Sequence, residues 1–137
     1  MARELNVALL GFGLAGSVFH APLVACTPGL RLHTVVSRNP AKVHAAHPHA
    51  HVVADPARAF ADPAIDLVVV ATPNDTHAPL ALAALAAGKH VVVDKPFALD
   101  AAQAQAVIDA ATAARRVLSV FHNRRWDADF LALRALL

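Results

Sequence analysis

Short runs of Val, Leu and Ile alternate along the chain with alanine-rich stretches. The apolar runs are nearly continuous over a few residues, as strands buried on both faces of a parallel sheet require. They predict strands at Leu5–Leu10, Arg31–Ser37, His51–Ala54, Leu67–Ala71, His90–Val93 and Val117–Phe121. The alanine-rich stretches predict helices over Ala15–Ala25, from Pro40, from Pro56, over Thr76–Ala87 and over Asp100–Arg116. Punctuation supports these bounds. Asn39-Pro40 and Asp55-Pro56 each offer an N-cap followed by a proline at the first helical position. Thr27-Pro28-Gly29, Asp62-Pro63 and Gly88 act as stops.

Strand and helix in strict alternation predict an α/β domain with a doubly wound parallel sheet, and six strands complete a dinucleotide-binding Rossmann fold. After that sheet, Trp126, Phe130, Leu133 and Leu137 recur at helical spacing and form one apolar stripe. No breaker follows Leu137, so the helix is expected to continue in a longer natural chain. The predicted division is a nucleotide-binding domain over residues 1–122, with residues 123–137 as the start of a linker helix toward a substrate domain.

The 137 residues suit one domain. The hydrophobic fraction of 57% is largely alanine. The longest apolar stretches, near Leu67–Ala71 and Ala78–Ala87, fall short of the roughly 20 residues that span a bilayer. Met1–Asn6 leads toward a strand rather than a signal-peptide core, so a cytoplasmic place is expected. Cys26 is the single cysteine and is expected to pack in the interior. A net charge of +2 without a stripe of Lys and Arg argues against a nucleic-acid partner.

The chemistry gathers where strands end. Gly11-Phe12-Gly13-Leu14-Ala15-Gly16 fits G-x-G-x-x-G between a strand and a helix. Gly11 would permit the tight turn, Gly13 would let backbone approach a pyrophosphate, and Gly16 would allow close packing, with helix amides favouring the phosphates. Ser37 and Arg38 stand at the end of the second strand, where an acidic residue would select NAD. A hydroxyl beside a guanidinium instead suits a ribose 2′-phosphate, so NADP is expected over NAD. A solvated surface arginine is the alternative.

Thr72-Pro73-Asn74-Asp75-Thr76-His77 follows the central strand at the carboxyl edge, within reach of a nicotinamide ribose. Asp75 or Thr76 also suits a plain N-cap. Asp94-Lys95-Pro96 follows the fifth strand. Desolvation there would favour a neutral Lys95 able to exchange a proton with a reacting hydroxyl. A surface ion pair between Lys95 and Asp94 is the alternative. His44, His47, His49 and His51 cluster without a matching set of cysteines or carboxylates, so no metal is expected.

Together, GFGLAG at Gly11–Gly16, ATPNDTH at Ala71–His77, AGKHVVVDKP at Ala87–Pro96 and LSVFHNRRWD at Leu118–Asp127 resemble the glucose–fructose oxidoreductase and inositol dehydrogenase family, Gfo/Idh/MocA. Phe19–Leu23 with Phe121–Asp127 is most similar to a bacterial branch that includes NADP-dependent inositol dehydrogenases. The resemblance implies that Lys95 is the active-site lysine. It also implies nicotinamide contacts at Thr72, Pro73, Asn74 and His77, with Asn123, Arg124 and Trp126 near the cofactor end of the cleft. Asp94 stands where the family usually has Glu, which leaves the partner of that carboxylate open. The family's second α/β domain, which carries the substrate wall, the homo-oligomer interface and the usual catalytic histidine, is absent from these residues. The implied activity is hydride transfer between NADP and a secondary hydroxyl of a sugar or cyclitol. A nucleotide-binding sensor or scaffold without chemistry is the rival.

Overall fold

The computed structural model describes residues 3–137; the first two residues of the Met1–Asn6 segment lie outside them. Six strands, β1 (Leu5–Leu10), β2 (Leu30–Val36), β3 (His51–Val53), β4 (Leu67–Val70), β5 (His90–Val93) and β6 (Leu118–Val120), form one sheet in the order β3-β2-β1-β4-β5-β6. Every neighbouring pair is parallel. This is the doubly wound Rossmann arrangement, with the chain reversing direction across the sheet between β1 and β4. At that reversal the loops after β1 and β4 part and leave a crevice at the carboxyl edge.

Alternation along each strand divides the core. Ala8, Leu10, Val68, Val70, Val91 and Val93 face one helical layer with Ala78, Ala81, Leu85 and Val107. That layer is built by α3 (Pro56–Ala61), α4 (His77–Ala86) and α5 (Ala101–Ala114). Val7, Leu9, Val35 and Val69 face Ala21, Val24 and Val43 on α1 (Ala21–Cys26) and α2 (Pro40–Ala46). Leu9 and Leu85 are almost wholly buried, each worth about 1.5–3 kcal/mol relative to exposure. The small alanines on α4 let the helix lie close on the sheet.

The caps fall where their chemistry predicts. The Asn39 side chain accepts the Lys42 amide at 3.0 Å and Asp55 accepts that of Ala57 at 2.8 Å. Gly88 ends α4 with φ +74°. Lys89, just beyond, is buried and donates to the carbonyls of Asp62 and Ile65 at 2.7 and 2.9 Å, so its ammonium is tied down structurally.

Three local features differ from the sequence expectation. The helix predicted over Ala15–Ala25 opens as a π-helical turn, Ala15–His20, before α1 begins. Pro22 has no N–H to give and its ring crowds the carbonyl four residues back, which a wider turn relieves. Strand β2 carries a bulge: Val7 pairs with Leu32 but Ala8 with Thr34, so His33 is the inserted residue. Its ring lies 5.0 Å from that of His51 on β3. Cys26, expected in the interior, is exposed at the end of α1, its thiol 3.5 Å from the Leu23 carbonyl.

A final helix, α6 (Ala128–Leu136), follows a 3-10 turn at Asn123–Trp126. None of its residues is buried, and Trp126, Phe130 and Leu133 stand exposed. Among the described residues no helix is long and apolar enough to cross a membrane.

Burial lowers the pKa of His20 against the opposing pull of Asp94, and burial followed by the His51 charge lowers that of His33. The unfolded chain therefore binds more protons than the folded one once pH falls below about 6.5, the ordinary histidine value. Stability is expected to be flat above that pH and to decline below it. Thermal melts at pH 7.5 and pH 5 test this: a melting temperature no lower at pH 5 contradicts it.

Candidate functional site

The site is built where strands end: β1 delivers the glycine turn, β2 Ser37 and Arg38, β4 the loop from Ala71, β5 the Asp94–Pro96 segment and β6 Phe121. Gly11 has φ +92°, and a Cβ there would run into the Ala71 carbonyl oxygen at the end of β4. A Cβ on Gly16 would strike the Gly11 carbonyl instead. These two glycines are therefore required by the protein's own packing. Gly13 is different: a Cβ on it would meet nothing within 4 Å. No protein atom explains that glycine, whereas a close-lying pyrophosphate would.

A cleft of about 640 Å³ opens beside this turn, lined by Gly11, Phe12, Gly13, Ser37, Arg38, Lys42, Thr72 and Pro73 among others. Its volume is in the range of small-molecule and cofactor sites, about 300–1,000 Å³. The Phe12 ring packs into the core. The Ser37 hydroxyl accepts the Asn39 amide at 3.1 Å, which leaves its own hydrogen free to donate. Arg38 is exposed, with no hydrogen-bonded or ionic side-chain partner among the described residues. Lys42, which sequence reasoning missed, donates to the Phe12 carbonyl at 3.2 Å and stands 5.9 Å over the Phe12 ring. Its ammonium joins Arg38 in one cationic wall. Leu14 stands 75% exposed beyond the turn, and Ala15 is half-buried.

Residues of the β4 loop play unequal parts. Thr72 and Pro73 line the main cleft, whereas Asn74 is exposed at the tip and lines none of the clefts near it. The Thr72 and Thr76 hydroxyls bond at 2.6 Å. His77, predicted to contact the cofactor, is 1% exposed. Its Nδ1 lies 2.7 Å from the Pro96 carbonyl and its Nε2 2.8 Å from that of Thr72. Each ring nitrogen faces a backbone carbonyl, so the buried ring joins the two loops.

At the other end of the turn a small cleft of about 80 Å³ is lined by Ala15, Phe19, Asp94, Lys95, Phe121, Asn123 and Arg124. Lys95 is exposed there, so the desolvation expected from the sequence is not supplied by these residues. The peptide between Lys95 and Pro96 is cis. Asp94 forms no ion pair with the Lys95 ammonium; its Oδ1 accepts the Lys95 backbone N–H at 2.8 Å, and its Oδ2 lies 3.4 Å from His20 Nε2. Arg124 is held by Asp127 at 2.9 Å. Trp126 lines a neighbouring cleft with Val92 and Ser119 rather than the one beside Lys95, because the 3-10 turn carries it past.

The histidine cluster disperses. His44 Nε2 lies 3.2 Å from the Ala50 carbonyl, and His47 sets its edge against Phe12. Among the described residues no group of three or more His, Cys, Asp or Glu side chains is arranged to hold a metal ion.

Known proteins share this arrangement. The chain is 55% identical over 137 residues to the uncharacterised oxidoreductase YdgJ of Escherichia coli, and spans 40% of that protein's length. It is 39% identical to the scyllo-inositol 2-dehydrogenase (NADP(+)) IolW of Bacillus subtilis, matching over 97% of the chain and 37% of the relative. A solved structure from Yersinia pestis, YPO2259, superposes with a TM-score of 0.96 at 58% identity, over 99% of this chain and 39% of that one. The chain thus spans about 40% of the relatives it matches. Residues 5–122 match the family GFO_IDH_MocA, described as an oxidoreductase family with an NAD-binding Rossmann fold. With its glycine turn, its sheet order and more than half its length accounted for in this way, the chain belongs to the GFO_IDH_MocA oxidoreductase family.

Proposed function

We propose that this chain is the NADP-binding part of an oxidoreductase acting on a secondary hydroxyl of a sugar or cyclitol. The observation that carries the reading is the cleft beside Gly13, with open space over the one glycine of the motif that the protein's packing does not need and with Arg38 and Lys42 in its lining. These residues fit a dinucleotide that carries a 2′-phosphate. Amides of the glycine turn would face the pyrophosphate, and Ser37, Arg38 and Lys42 would hold the 2′-phosphate through charge-assisted hydrogen bonds. The Bacillus subtilis relative, a scyllo-inositol 2-dehydrogenase (NADP(+)), supports both the cofactor and the substrate class. When bound, the nicotinamide ring supplies the hydride acceptor or donor.

Lys95 is the chain's proton-handling group, taking the hydroxyl proton as the carbon is oxidised and returning it in reduction. Phe19, Phe121 and Asn123 would wall the reacting end. The small cleft there holds about 80 Å³, well below the roughly 300 Å³ at which ligand sites begin, and Lys95 lies open to water. These residues alone are thus expected to bind nucleotide and to turn over little or not at all. We place the protein in the cytoplasm, with an oligomer formed through residues outside this chain.

A chimera tests the reading. Residues 1–137 replace the matching segment of the Escherichia coli relative, and reduction of NADP+ to NADPH is followed over a panel of inositols and sugars. Lys95→Met is expected to lower kcat by about 10²–10⁴-fold, the usual contribution of a positioned acid or base, with NADPH binding retained. Undiminished turnover in the variant would remove Lys95 from the chemistry. A chimera that binds NADPH but oxidises nothing would favour the sensor.

A further inference from the structure

Behind Lys95 lies a polar group that neither the sheet nor the cleft accounts for. His20 is 3% exposed, at the end of the π-helical turn, and its Nε2 is buried without a hydrogen-bond partner. A buried donor or acceptor left unpaired is costly, so a folded protein that keeps one calls for a reason. Asp94 Oδ2 lies 3.4 Å from it, an ionic distance whose alignment falls short of a hydrogen bond. The other oxygen of that carboxylate accepts the Lys95 N–H at 2.8 Å. The Phe121 ring lies 4.3 Å from the imidazole and fixes its plane.

We propose that His20 is a positioning residue for Lys95, acting through the Asp94 carboxylate. Nε2, 3.4 Å from Oδ2, keeps the carboxylate turned so that Oδ1 meets the Lys95 amide, and that bond sets where the lysine leaves the strand. The π-helical turn is the local device, since it carries His20 to the buried side where the carboxylate lies. Asp94 is the charged group facing the ring from β5; Phe121 faces it from the β6 side, and Lys95 and Arg124 line the cleft that Asp94 shares. A catalytic consequence follows only if Lys95 handles the proton as proposed above, but the linkage itself is a property of this chain and is read without turnover.

The test is NMR on the 137-residue chain. The Lys95 amide resonance is expected to move with pH at the midpoint of the His20 ring, below the ordinary histidine value. His20→Phe fills the ring volume but cannot donate; the Lys95 amide should lose that inflection and its downfield, carboxylate-bonded position. His20→Gln, which offers an N–H near the same place, should restore the position without the inflection. Asp94→Asn should lower the His20 midpoint further by removing the charge that favours the imidazolium. A Lys95 amide indifferent both to His20 titration in the unaltered chain and to His20→Phe would overturn the proposal. If His20→Phe does not fold, the unaltered chain and Asp94→Asn still decide it: no shared midpoint and no change in the His20 midpoint would overturn it.

Discussion

Gly13→Ala is expected to weaken nucleotide binding by at least about tenfold while leaving stability untouched, and Gly11→Ala to lower stability first. A Cβ on Gly13 enters empty space, so melting should be unchanged or slightly raised as alanine restricts the unfolded chain. That same methyl occupies the room a pyrophosphate needs against the backbone. A loss of at least about tenfold in NADPH affinity is expected from one displaced phosphate contact. At Gly11 the φ of +92° and the Ala71 carbonyl oppose any side chain. Left-handed strain of about 1–2 kcal/mol and overpacking of about 1–3 kcal/mol combine to roughly 2–5 kcal/mol. For a domain of this size that is on the order of 10 °C in melting temperature. Thermal melts beside binding isotherms check both. A Gly13→Ala chain that binds NADPH normally would make the motif a turn and nothing more.

Arg38→Ala is expected to remove the preference for NADPH over NADH. The guanidinium is exposed, has no side-chain partner among the described residues and lines the cleft, so deleting it disturbs no internal contact. A charge-assisted hydrogen bond contributes about 1.5–3 kcal/mol, which corresponds to roughly 10- to 150-fold weaker NADPH binding. NADH, without the phosphate, should bind as before. Lys42→Ala should show a smaller loss for NADPH, with some destabilisation because Lys42 also holds the Phe12 carbonyl. Raising salt should weaken NADPH more than NADH. Equal losses for the two nucleotides would assign Arg38 to the shared part of the cofactor and contradict the 2′-phosphate reading.

How far the sequence revealed this molecule depended on whether the cause was local. Apolar runs such as Leu67–Val70 are strands because both faces of the sheet are covered, and that is visible in four residues. Asn39, Asp55 and Gly88 act within a turn of themselves and were equally legible. The π-helical turn was less so: its cause, Pro22, is in plain view, but its effect falls on the residues before it. The bulge at His33 arises from matching two strands, which no single segment encodes. The site shows the same division. Gly11, Gly13 and Gly16 could be read from spacing, whereas Lys42 reaches the cleft only because α2 folds back to the Phe12 carbonyl 30 residues earlier. His77 looked like a ligand contact by its place in the loop, yet two carbonyls from separate loops close over its ring. The pairing of His20 with Asp94 likewise needs β5 laid beside the first helix.

The central claim is that the cleft over Gly13 takes a nicotinamide dinucleotide by its phosphates. Calorimetric titration of the 137-residue chain with NADPH, and separately with NADH, tests it most directly. The account predicts saturation at one site per chain, NADPH the tighter of the two, and at least about tenfold weaker binding of both nucleotides in Gly13→Ala. Absence of binding by both nucleotides in the unaltered chain would contradict it.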